Sequence, residues 1–208
     1  AAVMAITLIQ YLDFAGVFVF ALTGALAASR SDMDIFGHIV LAMLPAIGGG
    51  TLRDLILDVP VFWLGAPVYI WLAIIAACLV FAFPPRIGKR LTVLEWADAV
   101  GLALFCVLGA SKTYALTGNI TISVTMGVVT AAAGGMIRDV VCNEIPLILR
   151  KEIYATAALF GGLVYCLAVK FGLSEITSLM LGGMCAFTLR GCALYFGWSL
   201  PKRKPREP

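Results

Sequence analysis

Charge is scarce in this sequence. Asp, Glu, Lys and Arg together make up 13% of its 208 residues, about half the usage of a soluble domain. So few charges cannot clothe a water-facing surface, which excludes a soluble globule of this length. Metal-binding groups are equally thin. The single histidine, His38, has no evident co-ligand, and the six cysteines are scattered without a Cys-x-x-Cys spacing, so neither a zinc site nor any other cofactor is expected. The cysteines read as small buried residues. No nucleophile elbow, zinc-protease motif or phosphate loop is present, and an enzyme is not expected. Basic clusters lack the interleaved aromatics of a nucleic-acid surface. The N-terminus lacks the basic stretch of a signal peptide, so its apolar run is expected to be a first membrane span.

Apolar sequence fills the remainder. The hydrophobic share is 62% and the mean hydropathy +1.00. Apolar runs of about 20 residues recur, the length that crosses roughly 30 Å of hydrocarbon. Hydropathy and breakers predict an all-α membrane protein, a single transmembrane domain over 1–208, with spans at 6–28, 37–58, 66–84, 95–114, 120–141, 152–171 and 175–198. With seven spans, one side of the membrane collects Arg30, Arg86, Lys89, Arg90, Arg150, Lys151 and the basic tail at 199–208. The positive-inside rule then places the N-terminus outside and the C-terminus in the cytoplasm.

The chain also repeats itself. A shift of 85 residues places Asp13 on Asp98, Gly16 on Gly101, Phe20 on Phe105, Gly49-Gly50 on Gly134-Gly135, Arg53-Asp54 on Arg138-Asp139 and Tyr69 on Tyr154. The copies run over about 6–84 and 95–171, with the span at 175–198 outside them. Three spans per copy is an odd number, so the second copy enters the membrane from the opposite side. Inverted repeats of this kind build transport paths at their interface.

The sharpest motif is Gly48-Gly49-Gly50-Thr51-Leu52-Arg53-Asp54, echoed by Gly134-Gly135-Met136-Ile137-Arg138-Asp139. Glycines weaken a helix by about 1 kcal/mol each relative to alanine, and Pro45 removes a further helical hydrogen bond in the first copy. Both spans are therefore expected to break near mid-membrane, freeing carbonyls that could meet an ion. The competing expectation is that the glycines only let helices touch.

Arg53-Asp54 and Arg138-Asp139 are too costly to face lipid. Adjacent helical residues point about 100° apart, so each member is expected to meet a different neighbouring helix or line a water path. Asp13 is grouped with Lys112, and Asp98 with Arg138. Lys112 either snorkels or tunes cation entry, and Arg190 either snorkels or pairs with Asp98 or Asp139. His38 is expected at the membrane interface.

The paired Gly-Gly-x-x-Arg-Asp motifs, the 3+3+1 layout and the length resemble the TRIC family of trimeric intracellular cation channels. The likeness is greater to its prokaryotic members, which also carry a glycine-transporter domain label. That resemblance implies a homotrimer with a pore inside each subunit, lined by two kinked helices and passing monovalent cations, potassium above sodium. Carried over by position, Gly48, Gly49, Gly50, Gly134 and Gly135 would be the kinks. Thr51, Asp54 and Asp139 would stand on the pore, with Asp13, Asp98, Arg53, Arg138 and Lys112 as lining or gating charges. Animal members bind phosphoinositide through a basic motif on span four. Here that span offers Lys112 alone, so membrane lipids are expected as surroundings rather than as regulators of that kind. The alternative to a channel is a secondary transporter of glycine or a similar zwitterion, its carboxylate held by half-helix N-termini.

Overall fold

The structure is a computed structural model and describes residues 2–84, 90–150 and 153–199. All of its regular elements are helical. In chain order they are α1 (Ala2–Arg30), α2 (Ile35–Ile56), α3 (Val68–Ala82), α4 (Arg90–Thr117), α5 (Ile120–Val141), α6 (Leu147–Arg150), α7 (Ala155–Lys170) and α8 (Glu175–Phe196). Among the described residues, five helices are long and apolar enough to cross a membrane. The apolar α3 and α7, at 15 and 16 residues, are shorter than the spans expected at 66–84 and 152–171. Pro67 stands at the start of α3, and Gly172 at φ +84° follows the end of α7. The one-turn helix α6 has no signal in the sequence. Arg86, Lys89, Lys151 and the tail basic residues lie outside the described residues.

Side-chain caps set the helix starts. Asp34 accepts from the Gly37 amide at 2.8 Å and Asn119 from the Ile122 amide at 3.1 Å, a first-turn donor satisfied in each case. These caps stand 119 − 34 = 85 residues apart. So do Asp58 (φ 52°) and Asn143 (φ 55°), which turn the chain just after α2 and α5.

α1 packs on α2, α3 and α4, α2 on α5, and α4 on α5, α7 and α8. The core is alanine-rich, with Ala21, Ala25, Ala73, Ala76 and Ala77 wholly covered. Small residues bring helix backbones close, the main source of cohesion where no water is displaced. Phe20 of α1 stacks on its offset counterpart Phe105 of α4, centroids 5.1 Å apart.

The helix breaks expected at the glycines are absent: α2 and α5 run as continuous α-helix through Gly48–Gly50 and Gly134–Gly135. The physical reason is the crossing of the two helices. A Cβ on Gly134 would stand 2.6 Å from the Pro45 carbonyl, and one on Gly49 would overlap the Thr130 carbonyl. Since 45 + 85 = 130 and 49 + 85 = 134, the two contacts are the same contact made twice. Pro45 leaves the Leu41 carbonyl without its helical donor. That oxygen is packed on Gly24 of α1, not on a water path.

The expectation that the cysteines are small buried residues is corrected, and His38, in the first turn of α2, is covered by protein. His38 is 4% exposed, its Nδ1 lying 2.9 Å from the Asp34 carbonyl oxygen, so it is buried. Of the six cysteines only Cys106 and Cys166 are buried, and Cys78 is exposed.

Candidate functional site

Two charge clusters flank the α2–α5 crossing. In the first, the wholly buried Asp54 gathers three donors. Its Oδ1 accepts from Arg53 Nε and from Lys112 Nζ of α4, each at 2.8 Å, and its Oδ2 accepts from the Phe62 amide at 3.0 Å. Asp13 of α1 accepts from the Tyr69 hydroxyl of α3 at 2.6 Å. The Arg53 guanidinium lies 5.9 Å from the Phe62 ring centroid. A cavity of about 240 Å³ opens here, lined by Gln10, Asp13, Arg53, Phe62, Ser111 and Lys112.

In the second cluster, Asp139 accepts from Arg138 Nε and from the Leu147 amide, both at 2.8 Å. Arg138 Nη1 donates to Thr23 Oγ1 of α1 at 2.8 Å and to Asp98 Oδ1 of α4 at 3.1 Å. A Cβ on Gly135 would stand 3.5 Å from Asp98 Oδ1 and 3.6 Å from both Arg138 Nη2 and the Tyr154 hydroxyl. Arg190 of α8 lies over the Tyr154 ring at 5.1 Å. Arg138 and Asp98 are wholly buried, and Arg190 is 1% exposed.

The bond from Phe62 to Asp54 and the bond from Leu147 to Asp139 again differ by 147 − 62 = 85. Each aspartate clamps the chain that follows its helix, and in the second copy that chain forms α6.

Most expected site residues fall at or beside these clusters. A Cβ on Gly48 would stand 3.7 Å from the Gly134 Cα, on the seam between α2 and α5. Gly50 lies under the Phe62 ring. Thr51 donates to the Ile47 carbonyl at 2.6 Å and accepts from Trp63 Nε1 at 2.9 Å. Asp98 meets Arg138 as grouped. Lys112 pairs with Asp54, while Asp13, its expected companion, lines the same cavity. The expectation that neighbouring Arg and Asp would turn to different helices holds in part, since Asp54 also reaches Lys112 of α4 and Arg138 reaches α1 and α4. Both pairs close on themselves at 2.8 Å, because each guanidinium folds back along its helix at Nε, and Arg138 uses Nη1 for α1 and α4. Thr23 and the two loop amides were not foreseen. Tyr69 and Tyr154 carried a signal, their 85-residue offset, but no chemistry until the fold set them beside Asp13 and Asp98.

The chain is similar to known proteins along most of its length. The family model described as glycine transporter matches it twice, over residues 10–85 and 95–170, two segments that begin 95 − 10 = 85 residues apart. The inner membrane protein YadS of Escherichia coli K12 is 41% identical over 199 residues, covering 93% of this chain and 95% of that one. A membrane protein of Vibrio cholerae is 41% identical over 198 residues, 94% of this chain and 82% of its own length. Among solved structures, the TRIC trimeric intracellular cation channel orthologue from Rhodobacter sphaeroides superposes with a TM-score of 0.88 at 41% identity, covering 92% of this chain and 100% of that one. A second structure, from work on conductance through TRIC cation channels, matches at 0.86 and 34%, covering 96% and 98%. The chain belongs to the TRIC family. It is a membrane protein of TRIC fold, and its similar solved relatives are ion channels rather than enzymes.

Proposed function

We propose that this TRIC-family chain is a monovalent cation channel, potassium-preferring, with its path inside each subunit between α2 and α5 and three subunits per assembly. The observation that carries this reading is the double contact Gly49–Thr130 and Gly134–Pro45, with a charge cluster beyond it on either side. Two helices meeting through glycine have little side-chain bulk between them. A small tilt or bend there opens a narrow seam, bordered by Gly48, Gly50 and Thr51 on one helix and Gly135 on the other. Asp13, Asp54 and Lys112 face one mouth, and Asp98 and Asp139 the other. The carboxylates attract cations to the mouths, with the neighbouring basic side chains offsetting much of their charge. Because the helices are unbroken, no ring of freed carbonyls is available to strip an ion, so selectivity among monovalent cations is modest.

The topology belongs to the same proposal: seven spans, two inverted repeats over about 6–84 and 95–171, an outside N-terminus and a cytoplasmic C-terminus in the inner membrane. Two contacts support the crossing of the short helices. Arg30 at the end of α1 pairs with Glu144 after α5 at 2.9 Å, which puts both on one side. An even number of crossings between them, with α3 crossing alongside α2, α4 and α5, fits that pairing. Ser111 near the end of α4 donates to Glu175 at the start of α8 at 2.7 Å, and the same parity supports a crossing by α7 together with α5.

A glycine transporter would hold its substrate carboxylate at the N-termini of half-helices. Continuous α2 and α5 offer no such ends, which weighs against that reading.

Purified protein in planar bilayers and liposomes tests the proposal. The expected result is unitary potassium currents. Absence of currents together with saturable counterflow of labelled glycine would overturn it.

A further inference from the structure

The repeat leaves each cluster one negative charge in excess. Asp13, Arg53 and Asp54 sum to −1, as do their counterparts Asp98, Arg138 and Asp139. A second cation completes each set, and in neither case does the repeat supply it. Lys112 has Ala27 as its counterpart 85 residues earlier, and Arg190 stands on α8, beyond both family-model matches. The two cations differ in kind. The Lys112 side chain is 35% exposed and bonded directly to Asp54. Arg190 is 1% exposed, held over Tyr154, and its Nε and Nη2 have no protein hydrogen-bond partner.

Those two nitrogens form the fork edge with which arginine grips a carboxylate or bridging water. The other buried polar atoms without a partner among the described residues are Asp98 Oδ2 and Arg138 Nη2, both in the same cluster. Asp98 is the leading acid in electrostatic reach of Arg190, ahead of the half-buried Glu95 on the preceding turn of α4. Buried donors and acceptors of this kind are satisfied in stable proteins. A cation would meet two guanidinium groups here, and an anion would leave Asp98 Oδ2 unmet. Water accepts from the fork and donates to the carboxylate.

From this we infer that Arg190 is a specificity-determining residue: the fixed counter-charge of the second cluster, joined to Asp98 through bound water, which holds that mouth of the path electrically neutral. The inference rests on the cation-channel reading for its effect on permeation, but the Asp98–Arg190 link stands apart from it. α8 then has a role beyond packing, since it lowers the cation preference that the repeat alone would create.

The test uses the full chain as Arg190→Gln, Arg190→Lys, Asp98→Asn and the Arg190→Gln/Asp98→Asn double variant. In bilayers with a KCl gradient, Arg190→Gln leaves the cluster at −1 and should raise the potassium-to-chloride permeability ratio and the conductance severalfold. Asp98→Asn, nearly isosteric, leaves it at +1 and should lower both. Arg190→Lys and the double variant should lie near wild type. Unchanged reversal potentials in Arg190→Gln and Asp98→Asn, or a double variant that fails to return, would overturn the inference. If Arg190→Gln does not fold, Asp98→Asn decides alone. Thermal melting of the same set is independent of conduction. The Tm losses of the two single variants should exceed that of the double variant when added. Additive losses would overturn the link even in a protein that carries no current, whereas missing wild-type current with a non-additive cycle would sink the channel reading only.

Discussion

Gly134 of α5 rests on the backbone of Pro45 in α2, so close that a Cβ there would come within 2.6 Å of the proline carbonyl oxygen. The partner is a carbonyl in a packed helix and cannot rotate away. Glycine at 134 is therefore a requirement of the crossing, and the same holds for Gly49 against Thr130. Gly134→Ala and Gly49→Ala should each lower stability by about 1–3 kcal/mol through overpacking, and the leucine variants should abolish flux. Gly48 is the control, because a Cβ there meets its nearest atoms at 3.6 and 3.7 Å, ordinary contact. Gly48→Ala should melt within a few degrees of wild type. Equal Tm losses for alanine at all three positions would show that the crossing does not set the effect, since the higher helix propensity of alanine acts in the opposite direction.

The glycine pattern was legible in the sequence and its consequence was not. Spacing located two helices, their pairing and the offset between them, since hydropathy and an 85-residue echo depend only on residue type. Whether glycine breaks a helix or brings it against a neighbour depends on what lies opposite. Thr130 stands 81 residues from Gly49, and its carbonyl has no signature in side-chain chemistry. Arg-Asp shows the same limit. The pair was visible as an intramembrane liability, but the return of each guanidinium to the adjacent carboxylate depends on the Phe62 and Leu147 amides that hold the second oxygen. Arg190 lies outside the repeat, so no echo marked it.

Asp54 and Asp139 should behave as anchors of the fold as much as charges on a path. Each carboxylate is buried, paired with arginine and clamped by a loop amide. Removing one member of a buried pair costs about 3–5 kcal/mol. Asp54→Ala and Asp139→Ala should lose most of their properly assembled protein, read by size-exclusion profile and melting in detergent. Lys112→Gln should differ from both. Its partly exposed bond to Asp54 is worth about 0–1 kcal/mol, so folding should be retained while cation conductance rises. A Lys112→Gln protein as unstable as Asp54→Ala would make the lysine structural.

Tyr69 and Tyr154 offer a comparison within one chain. Tyr69 donates to Asp13 at 2.6 Å beside the cavity, so Tyr69→Phe removes a bond to a charged group, worth about 1.5–3 kcal/mol before water returns to the cavity. Tyr154 also carries the Arg190 guanidinium on its ring face, a contact that phenylalanine preserves, so Tyr154→Leu should be the more damaging change at that position. Melting curves of Tyr69→Phe, Tyr154→Phe and Tyr154→Leu give the comparison. If Tyr154→Leu and Tyr154→Phe melt together, the ring face contributes nothing to holding Arg190.

The short helices make topology the most exposed part of the proposal. α3 and α7 would each span about 22–24 Å at 1.5 Å per residue, less than the roughly 30 Å of hydrocarbon. Crossing requires local thinning or irregular chain at their ends. The Arg30–Glu144 and Ser111–Glu175 contacts support the proposal that both cross. Fluorescent-protein and alkaline-phosphatase fusions in a bacterial host read the result directly. Fusion after Ser199 should fluoresce and lack phosphatase activity, and so should fusion in the 31–34 turn. Fusion at Gly118-Asn119 should show phosphatase activity alone. If α7 lay on one face without crossing, the fusion after Ser199 would report the outside while that at 31–34 still reported the cytoplasm. The inverted repeat would then fail at its third helix.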